Sequence, residues 1–395
     1  MFDWFKGLAG AFQSSDDSVV GVDVGSSYLK VVQLRRKSGK AILETYGSLA
    51  LGPYGNLEIG RATHLPADKI AEALRDLLRE AHVTTKNAAF SIPFASSLVT
   101  AMDMGVMDQS QLATAVPLEA RKYIPVPISE VNLDWWIIPE EPTTASAGGA
   151  QASSVGETEG SASGNPTIQP LRVPVVENDP TVPHKVKILI AAIHNEALNR
   201  FSEVVKGSGL ASSFFEIELF STIRSLFPQD LEPHAVLDLG AGETKLYVID
   251  RGLVRLSHII NHGGQDLTLA LSRALGISVE EAEKKKRMDG LQSGTEENPS
   301  LSAILNVIFS ETNRTLMSFE HKFGRKVKDV VLSGGGANLG GIATLATQSC
   351  SVAVERANPF NQVEAPAFLD EILKDVGPEF TVAVGIAFRR LQEGS

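Results

Sequence analysis

Hydrophobic and polar residues alternate along this chain in patterns that predict repeated strands and helices. The first predicted strands cover residues 19–24, 28–34 and 41–49, and short polar turns join them. Apolar residues at helical spacing predict a helix over 66–80, and a short apolar run predicts a buried strand over 88–92. This order of strands and helices is typical of an α/β fold.

A different pattern predicts a small α+β subdomain inserted over residues 96–194. Its predicted elements are a strand, a helix ended by two prolines and two further strands, over 98–104, 109–123, 131–138 and 185–193. Within it, residues 140–183 are dominated by Gly, Ser, Ala, Thr, Pro and Glu, a composition typical of disorder. We expect a long disordered insertion in a hairpin, with a linker between two domains as the alternative.

The opening pattern of strands returns in the second half of the chain. A helix is predicted over 195–206, a strand over 214–219 and a helix from 221. Three strands are then predicted over 235–239, 244–250 and 253–260. The elements predicted after these are helices over 265–274, 279–288 and 301–323, a strand over 329–332, a helix from 339, a strand over 352–355 and a helix over 381–391. The repeat predicts a two-lobed α/β fold with duplicated mixed sheets.

The predicted domain boundaries follow from this repeat. They are an apolar tail and linker at 1–18, a first lobe at 19–95 and 195–233, the inserted subdomain at 96–194, a second lobe at 234–378 and a closing helix at 379–395 that returns to the first lobe. A chain of 395 residues is long enough for two or three such units.

Composition excludes several classes of protein. The formal net charge of −11 provides no basic field that would recruit nucleic acid. The single cysteine, Cys350, rules out an intramolecular disulfide framework, and no signal-peptide pattern opens the chain. The sequence contains no apolar run of about eighteen residues, so no membrane span is predicted. We therefore expect a cytosolic protein.

The candidate chemistry lies in a short motif that occurs twice. The triplets DVG at 23–25 and DLG at 238–240 each follow an apolar strand and open a turn of small residues. Lys30 and Lys245 each stand seven residues after the aspartate. Backbone N–H groups of such turns can hold phosphates, and a carboxylate can hold hydrated Mg²⁺. The two copies predict a nucleotide clamp with one hairpin in each lobe.

Other catalytic patterns are absent from the sequence. The eight histidines show no metal-ligand spacing, and no Ser-His-Asp set or Walker A motif can be argued. The glycine turn at 334–336 does not fit the dinucleotide pattern, because Leu339 replaces its third glycine and the turn comes late.

These motifs resemble those of the actin-like ATPase superfamily, which includes actin, Hsp70, sugar kinases and FtsA, and within it those of the PilM family of the type IV pilus. The resemblance is carried by GVDVGSS at 21–27, EARKYIPVP at 119–127, VNLD at 131–134, the late glycine turn and AVGIA at 383–387. It covers nearly the whole chain except the 140–183 insertion.

The resemblance implies a site for ATP and Mg²⁺ shared by both lobes. It places Asp23 and Asp238 on Mg²⁺ through water, and Glu218 as the residue that positions water, with Glu216 as the alternative. The ATP-binding residues that it implies are Gly25, Ser26, Ser27, Lys30, Gly240, Ala241, Gly242, Lys245, Gly263, Gly264, Glu283, Lys286, Gly334, Gly335, Gly336 and Ala337. The last four would lie against adenine and open a helix.

Two of these assignments have simpler alternatives. The run EEAEKKKR at 280–287 resembles the ribose-binding segment of the superfamily and suggests Glu283 and Lys286, but it is also typical of a solvated helix face. Gly263 and Gly264 resemble the superfamily's glycine step near phosphate, but a helix-entry turn explains them equally well.

The resemblance also implies a partner. It suggests a cytoplasmic ATP-binding adaptor, peripheral at the inner membrane, that captures the N-terminal cytoplasmic segment of the inner-membrane protein PilN. Weak ATPase activity and self-association are left open. The expected groove lies between the first lobe and the inserted subdomain, with Ala88, Phe90 and Ile92 on a strand that accepts the peptide by β-augmentation, and Glu119 and Tyr123 nearby.

Two rival functions and one further segment stay open. An FtsA-like filament scaffold or a sugar-kinase-type phosphotransferase would use the same fold. Residues 1–12 form an aromatic tail, in which Phe5, Leu8 and Phe12 share one helical face. This tail would lie in a membrane interface, dock on a partner, pack on its own domain or be partly disordered.

Overall fold

The structure, a computed structural model, describes most of the chain. The described ranges are 18–138, 185–228, 230–291 and 299–393. The predicted aromatic tail and the predicted 140–183 insertion lie outside the described residues. Within those ranges, no helix combines the length and the apolar character needed to cross a membrane.

The strands are numbered in chain order. They are β1 (Ser18–Val24), β2 (Tyr28–Lys37), β3 (Lys40–Ala50), β4 (Asn87–Ile92), β5 (Ser97–Gly105), β6 (Val131–Ile138), β7 (Lys185–His194), β8 (Ala211–Ile217), β9 (His234–Leu239), β10 (Thr244–Asp250), β11 (Leu253–Ile260), β12 (Asp329–Ser333) and β13 (Ala353–Arg356).

The α-helices are numbered in the same way. They are α1 (Ala67–Glu80), α2 (Gln109–Ala120), α3 (Asn195–Ser208), α4 (Glu218–Leu226), α5 (Gly264–Leu275), α6 (Val279–Asp289), α7 (Pro299–Phe323), α8 (Ile342–Ser349), α9 (Asp370–Val376) and α10 (Thr381–Glu393).

The two lobes have the same sheet topology. The first sheet has the order β3-β2-β1-β4-β8, and the second has the order β11-β10-β9-β12-β13. In each sheet the first three strands form an antiparallel meander that ends in the centre of the sheet, at β1 or β9. The other two strands lie on the far side of this central strand and run parallel to it. The carboxyl ends of β1 and β9 therefore occupy equivalent positions. The two-lobed α/β fold predicted from the repeat is confirmed.

Burial explains the sequence pattern of the central elements. Every residue of β1 is buried, because helices cover both faces of this strand's sheet. On α1, Ile70, Leu74 and Leu77 lie one helical turn apart and are all buried in the first-lobe core. The helix begins directly after Pro66, in agreement with its predicted start.

The inserted subdomain is a three-stranded antiparallel sheet, in the order β5-β7-β6, with α2 on one face. Leu112 and Val116 of α2 pack against Met102 and Ile190 of the sheet. Leu189, Ala191 and Ile193 belong to the core shared with the first lobe, which fixes the subdomain on that lobe. An α-helix on an antiparallel sheet is the predicted α+β architecture.

Three boundaries predicted for the first lobe and the inserted subdomain were wrong. The helix predicted over 109–123 ends at Ala120, and its last residues form a turn. The predicted 214–219 strand is shifted, because β8 ends at Ile217 and Glu218 already begins α4. The chain also returns to the first lobe before residue 379, since Phe360 and Leu373 pack in a first-lobe cluster with strands β1 to β3.

Candidate functional site

The first hairpin explains the seven-residue spacing between aspartate and lysine. Asp23 and Lys30 are directly opposite each other in the register of β1 and β2. Lys30 Nζ donates to Asp23 Oδ2 at 3.3 Å, and Ser91 Oγ donates to Asp23 Oδ1 at 3.2 Å. The turn is closed by Gly25 N–H, which donates to the Tyr28 carbonyl at 3.0 Å.

The second hairpin repeats this geometry. Asp238 lies opposite Lys245 in the register of β9 and β10, and Gly240 N–H donates to the Glu243 carbonyl at 3.1 Å. Lys245 Nζ is 3.7 Å from Asp238 Oδ2 but only 2.7 Å from Glu218 Oε1. The spacing is therefore a property of the hairpin in both lobes.

The lysines of both hairpins are charged despite their burial. Burial alone would lower the pKa of Lys30, but the carboxylates of Asp23, Glu379 and Asp238 together outweigh burial and raise this pKa above its ordinary value. Burial likewise opposes the charge of Lys245, and the carboxylates of Glu218 and then Asp238 raise its pKa well above the ordinary value. Two ammonium groups thus stand at the carboxyl ends of equivalent strands.

A cavity of about 680 Å³ separates the two lobes at these hairpins. Its wall includes both turns, the starts of α5 and α8, the inner face of α6 and the loop that precedes α10. All but one of the predicted nucleotide, metal and water-positioning residues line it, namely Asp23, Gly25, Ser26, Ser27, Lys30, Glu218, Asp238, Gly240, Ala241, Gly242, Lys245, Gly263, Gly264, Glu283, Lys286, Gly334, Gly335 and Gly336.

The late glycine turn crosses the second hairpin at close range. Gly334 has φ +80°, and a Cβ there would meet Asp238 Oδ1 at 2.3 Å, so only glycine fits. Ala337 is the exception among the predicted residues, because its side chain is 1% exposed and packs in the second-lobe core. The turn opens a short 3₁₀ segment, Gly335–Asn338, and α8 begins only at Ile342, contrary to the predicted helix start.

The charged run on α6 faces the cavity on one side. Glu283 Oε2 is 2.7 Å from Lys286 Nζ and accepts from Thr268 Oγ1 at 2.7 Å. Lys286 Nζ also donates to the Gly264 carbonyl at 3.0 Å, which ties α6 to the start of α5. Lys284, in contrast, is exposed. The solvated-face interpretation therefore fits Lys284 but not Glu283 or Lys286.

The structure separates Glu218 from its alternative, Glu216. Glu216 is buried away from the cavity and is bound by Arg224 and Arg389, at 2.7 and 2.9 Å. Its carboxylate therefore has a structural role. Glu218 lines the cavity, but its Oε1 already accepts from Phe94 N–H at 2.6 Å and from Lys245.

The predicted β-augmentation site was wrong. β4 is hydrogen-bonded to β1 on one side and to β8 on the other, so it has no free edge. Ala88, Phe90 and Ile92 are 0% exposed and belong to the core. Glu119 and Tyr123 lie on the surface of the inserted subdomain, where Tyr123 is 41% exposed and Glu119 pairs with Lys122 at 2.7 Å.

Sequence reasoning missed residues that close the cavity. Arg287 lies over the ring of Tyr28, 4.9 Å from its centroid, and so joins α6 to the first hairpin. Ala62 N–H donates to Gln265 Oε1 at 2.7 Å, a second contact between lobes. Arg287 adjoins the predicted Lys286, so the same charged run contained that signal. The loop at Ala62 carries no comparable local pattern.

A buried carboxylate was also missed. Glu379, in the loop before α10, lines the cavity near Lys30 and Arg287, and burial raises its pKa above the ordinary value. No cluster of three or more His, Cys, Asp or Glu side chains able to hold a metal occurs among the described residues.

Comparisons with known proteins give the family and the fold. A family model described as type IV pilus assembly protein PilM matches residues 21–150 and 171–391. A solved structure described as the PilM-PilN type IV pilus biogenesis complex contains a chain that is 24% identical, with 94% of this chain and 98% of that chain covered and a TM-score of 0.73.

A second solved structure is more distant. Ethanolamine utilization protein EutJ from Carboxydothermus hydrogenoformans is 14% identical, with 94% of this chain and 89% of that chain covered and a TM-score of 0.51. At these identities both likenesses support the fold alone. The family match rests on the sequence of well over half of the chain, so the resemblance stated from the motifs is confirmed. The chain belongs to the family of type IV pilus assembly protein PilM.

Proposed function

We propose that this protein is an ATP-binding adaptor of type IV pilus assembly that binds Mg-ATP between its lobes and captures the N-terminal cytoplasmic segment of a PilN-like inner-membrane protein. The observation that carries the nucleotide part is the convergence of two distant hairpins, α6 and the glycine turn on one cavity. The family match supports the pilus part.

The cavity suits a nucleotide in size and charge. Its volume of about 680 Å³ lies within the range of small-molecule sites. Lys30, Lys245 and Lys286 all face it and would balance the phosphate charge, while the small residues of the two turns let backbone approach phosphate. Apolar side chains of Leu305, Ile308 and other residues line it as well, and these would accommodate a base.

The donor set also fits Mg²⁺ held through water. The oxygens of Asp23 and Asp238 stand at equivalent strand ends, and Mg²⁺ prefers carboxylate, phosphate and water oxygens. When bound, the ion would neutralise phosphate charge. The two carboxylates would orient its waters from opposite lobes, so that nucleotide binding holds the lobes together.

Binding is better supported than turnover. Glu218 would position a water molecule, but Lys245 and Phe94 N–H already engage its carboxylate. We therefore propose slow hydrolysis at most, with Glu218 as the water-positioning residue.

For the partner, we propose a contact on the surface of the inserted subdomain. Glu119 and Tyr123 are accessible there, and the neighbouring Leu118 is 57% exposed. The solved structure described as the PilM-PilN complex supports a PilN-like partner. In this proposal the peptide is held by side-chain contacts, because β4 has no free edge with which a peptide strand could pair. Localisation at the inner membrane would follow from this partner.

Calorimetric titration tests the proposal. Full-length protein is titrated with a PilN-like N-terminal peptide, with and without Mg-ATP, and the Asp238→Ala variant is titrated with ATP. Peptide binding and loss of ATP affinity in the variant are the expected results. Tyr123→Ala should weaken peptide binding while leaving ATP affinity unchanged, which separates the two sites.

Two outcomes would contradict the proposal. ATP affinity unchanged in the Asp238→Ala variant would remove the nucleotide site from this cavity. ATP binding and ATP-dependent polymerisation without any peptide affinity would favour the filament scaffold instead.

A further inference from the structure

The cavity between the lobes includes a part of the first lobe that has no role in the proposed nucleotide site. Residues of this part are His64 and Leu65 before α1, Ile70 on α1, and Arg200 and Phe201 on α3. Leu65, Ile70 and Phe201 are buried and form an apolar wall. Arg200 is half-buried and adds a positive charge to this wall.

Arg200 differs from the other cations of the cavity in having no carboxylate partner. The other four Lys and Arg residues that line the cavity each pair with a carboxylate, namely Lys30, Lys245, Lys286 and Arg287. Arg200 forms no ion pair with any residue that the structure describes. Burial lowers the pKa of Arg200 below its ordinary value, and the charge of Glu196 offsets this only in part. An anionic ligand would stabilise the Arg200 charge, as carboxylates stabilise the other four.

Two contacts hold the Arg200 guanidinium at the cavity wall. Its Nη2 donates to the Leu65 carbonyl at 2.5 Å, and its Nη1 lies 3.5 Å from His64 Nε2. Because an arginine only donates, His64 Nε2 accepts in this contact, and the neutral imidazole then carries its proton on Nδ1. A guanidinium has more N–H groups than these two contacts use. Donors of Arg200 and the Nδ1–H of His64 are therefore available to a ligand.

The loop that carries His64 is bound to the first nucleotide hairpin. Thr63 N–H donates to the Ser26 carbonyl at 2.8 Å, and Thr63 Oγ1 donates to the same carbonyl at 3.1 Å. His64 thus directly follows a residue that contacts the turn proposed to hold phosphate. The residues proposed to accommodate the base lie instead on α7 of the second lobe. Arg200 and His64 therefore adjoin the phosphate end of the nucleotide site.

We infer that Arg200 and His64 form a subsite for inorganic phosphate, or a similar tetrahedral oxyanion, next to the phosphates of the bound nucleotide. The inference rests on the proposed function for the neighbouring nucleotide, but the charge of the subsite comes from Arg200 alone. The guanidinium binds oxygens of the anion by charge-assisted hydrogen bonds, and the His64 imidazole donates to another oxygen. Phosphate reaches the subsite from solution or from slow hydrolysis of ATP.

Both connections between the first lobe and the inserted subdomain reach the same cavity. Ser96 lines the cavity and directly precedes β5, the first strand of the subdomain. α3, which carries Arg200, directly follows β7, the last strand of the subdomain. The subsite therefore lies on the side of the cavity where the subdomain joins the first lobe.

Phosphorus NMR with the full-length protein tests the inference. Inorganic phosphate is titrated into protein loaded with Mg-ADP, so that nucleotide already occupies the hairpin turns. Chloride at equal ionic strength is the reference. We expect saturable broadening of the phosphate resonance that added sulfate reverses, because sulfate is also a tetrahedral oxyanion.

A second arm of the experiment identifies the source of the phosphate. The protein is incubated with Mg-ATP and no added phosphate. A broadened resonance of inorganic phosphate that grows with time would show that hydrolysis supplies the subsite. Broadening only after phosphate is added would show that the subsite fills from solution. Both results support the subsite itself.

Arg200→Ala should weaken phosphate binding at least about tenfold, the loss expected when a charged hydrogen-bonding group is removed. Arg200→Gln keeps a donor for the Leu65 carbonyl but removes the charge, so it should show the same loss even if Arg200→Ala fails to fold. Arg75→Ala is the matched control. The Arg75 guanidinium also donates to a backbone carbonyl, that of Gly207 on α3, but Arg75 does not line the cavity. Its loss should leave phosphate binding unchanged.

Three results would overturn the inference: no saturable phosphate signal with the wild-type protein, an equal response to chloride, or unchanged phosphate binding by folded Arg200→Gln. Calorimetry measures ADP affinity separately. Normal ADP affinity without phosphate binding would contradict the subsite alone. If ADP does not bind, phosphate is titrated into the free protein. Phosphate binding that is then lost in Arg200→Gln would contradict the nucleotide site but support the subsite.

Discussion

The two hairpins share a backbone but differ in what holds their charges. In the first lobe Asp23 is held by its own cross-strand partner, Lys30, and by Ser91. In the second lobe Lys245 is drawn toward Glu218 of α4, and Asp238 keeps a longer 3.7 Å contact with it. Ser333 on β12, the parallel strand beside β9, is the serine equivalent to Ser91. Its hydroxyl donates to the Pro378 carbonyl and not to Asp238.

This difference shows how a duplicated motif becomes asymmetric. Glu218 comes from the first lobe and binds the lysine of the second, so one carboxylate at the crossover breaks the symmetry. The carboxylate of Asp238 is therefore less neutralised than that of Asp23 and better suited to a hydrated cation. Substitutions in the first and the second hairpin should therefore have unequal effects.

The largest expected effect comes from Lys245→Met. This change leaves Glu218 buried without its cation, and loss of one partner of a buried pair costs about 3 kcal/mol of unfolding free energy. Urea unfolding measures this loss of unfolding free energy. Lys245→Met combined with Glu218→Gln should recover much of the loss, because the buried charge is gone. An equal loss in Lys30→Met would show that the hairpins are equivalent.

Gly334→Ala should destabilise the second lobe by about 2 kcal/mol and reduce ATP affinity. The added methyl group would strike Asp238 Oδ1 at a positive φ. Thermal unfolding and calorimetry give the two readouts. Gly335→Ala is the matched control for the stability readout, since a Cβ there meets nothing within 4 Å. A stable Gly334→Ala protein with normal ATP affinity would contradict the close packing of turn and hairpin.

Asp238→Ala should weaken Mg-ATP binding about tenfold to hundredfold, the range found when residues that orient a metal's ligands are removed. Asp23→Ala should weaken it less, because Lys30 and Ser91 already engage that carboxylate. Titration with and without Mg²⁺ separates metal-dependent from metal-independent loss. A larger effect at Asp23 would reverse the assignment of the stronger metal position.

Ser91→Ala is expected to have the smallest effect. It removes one hydrogen bond to Asp23, worth about 1 kcal/mol of stability, and makes this carboxylate more like Asp238. Ser333→Ala serves as control in the second lobe, where the hydroxyl does not hold the aspartate. Chemical unfolding compares the pair. Equal losses in the two variants would mean that the serine does not distinguish the hairpins.

Much of the fold could be predicted because local patterns repeat. The buried runs of β1 and β9, the meanders after them and the helical spacing on α1 are visible in short windows of sequence. The seven-residue spacing predicted the hairpin, because it sets two side chains opposite each other across a short turn. Boundaries were less accurate where a strand passes directly into a helix, as at Glu218.

The wrong predictions concern relations between distant segments. The 88–92 strand was correctly identified, but its place between β1 and β8 could not be. Its pairing with β8 joins residues that are more than a hundred positions apart in the sequence. Ala337 stands in the predicted glycine turn but points into the second-lobe core. The contacts of Arg287 with Tyr28 and of Ala62 with Gln265 likewise join different lobes.

The sequence by itself determined that this protein has two similar lobes, each with a carboxylate and a lysine fixed across a hairpin, because strand period and turn chemistry are local. Only the tertiary structure decided which sheet edges are free and which lysine Glu218 binds. Pairing of distant strands and burial of charge depend on the whole assembly of elements, and no short window of sequence contains that information.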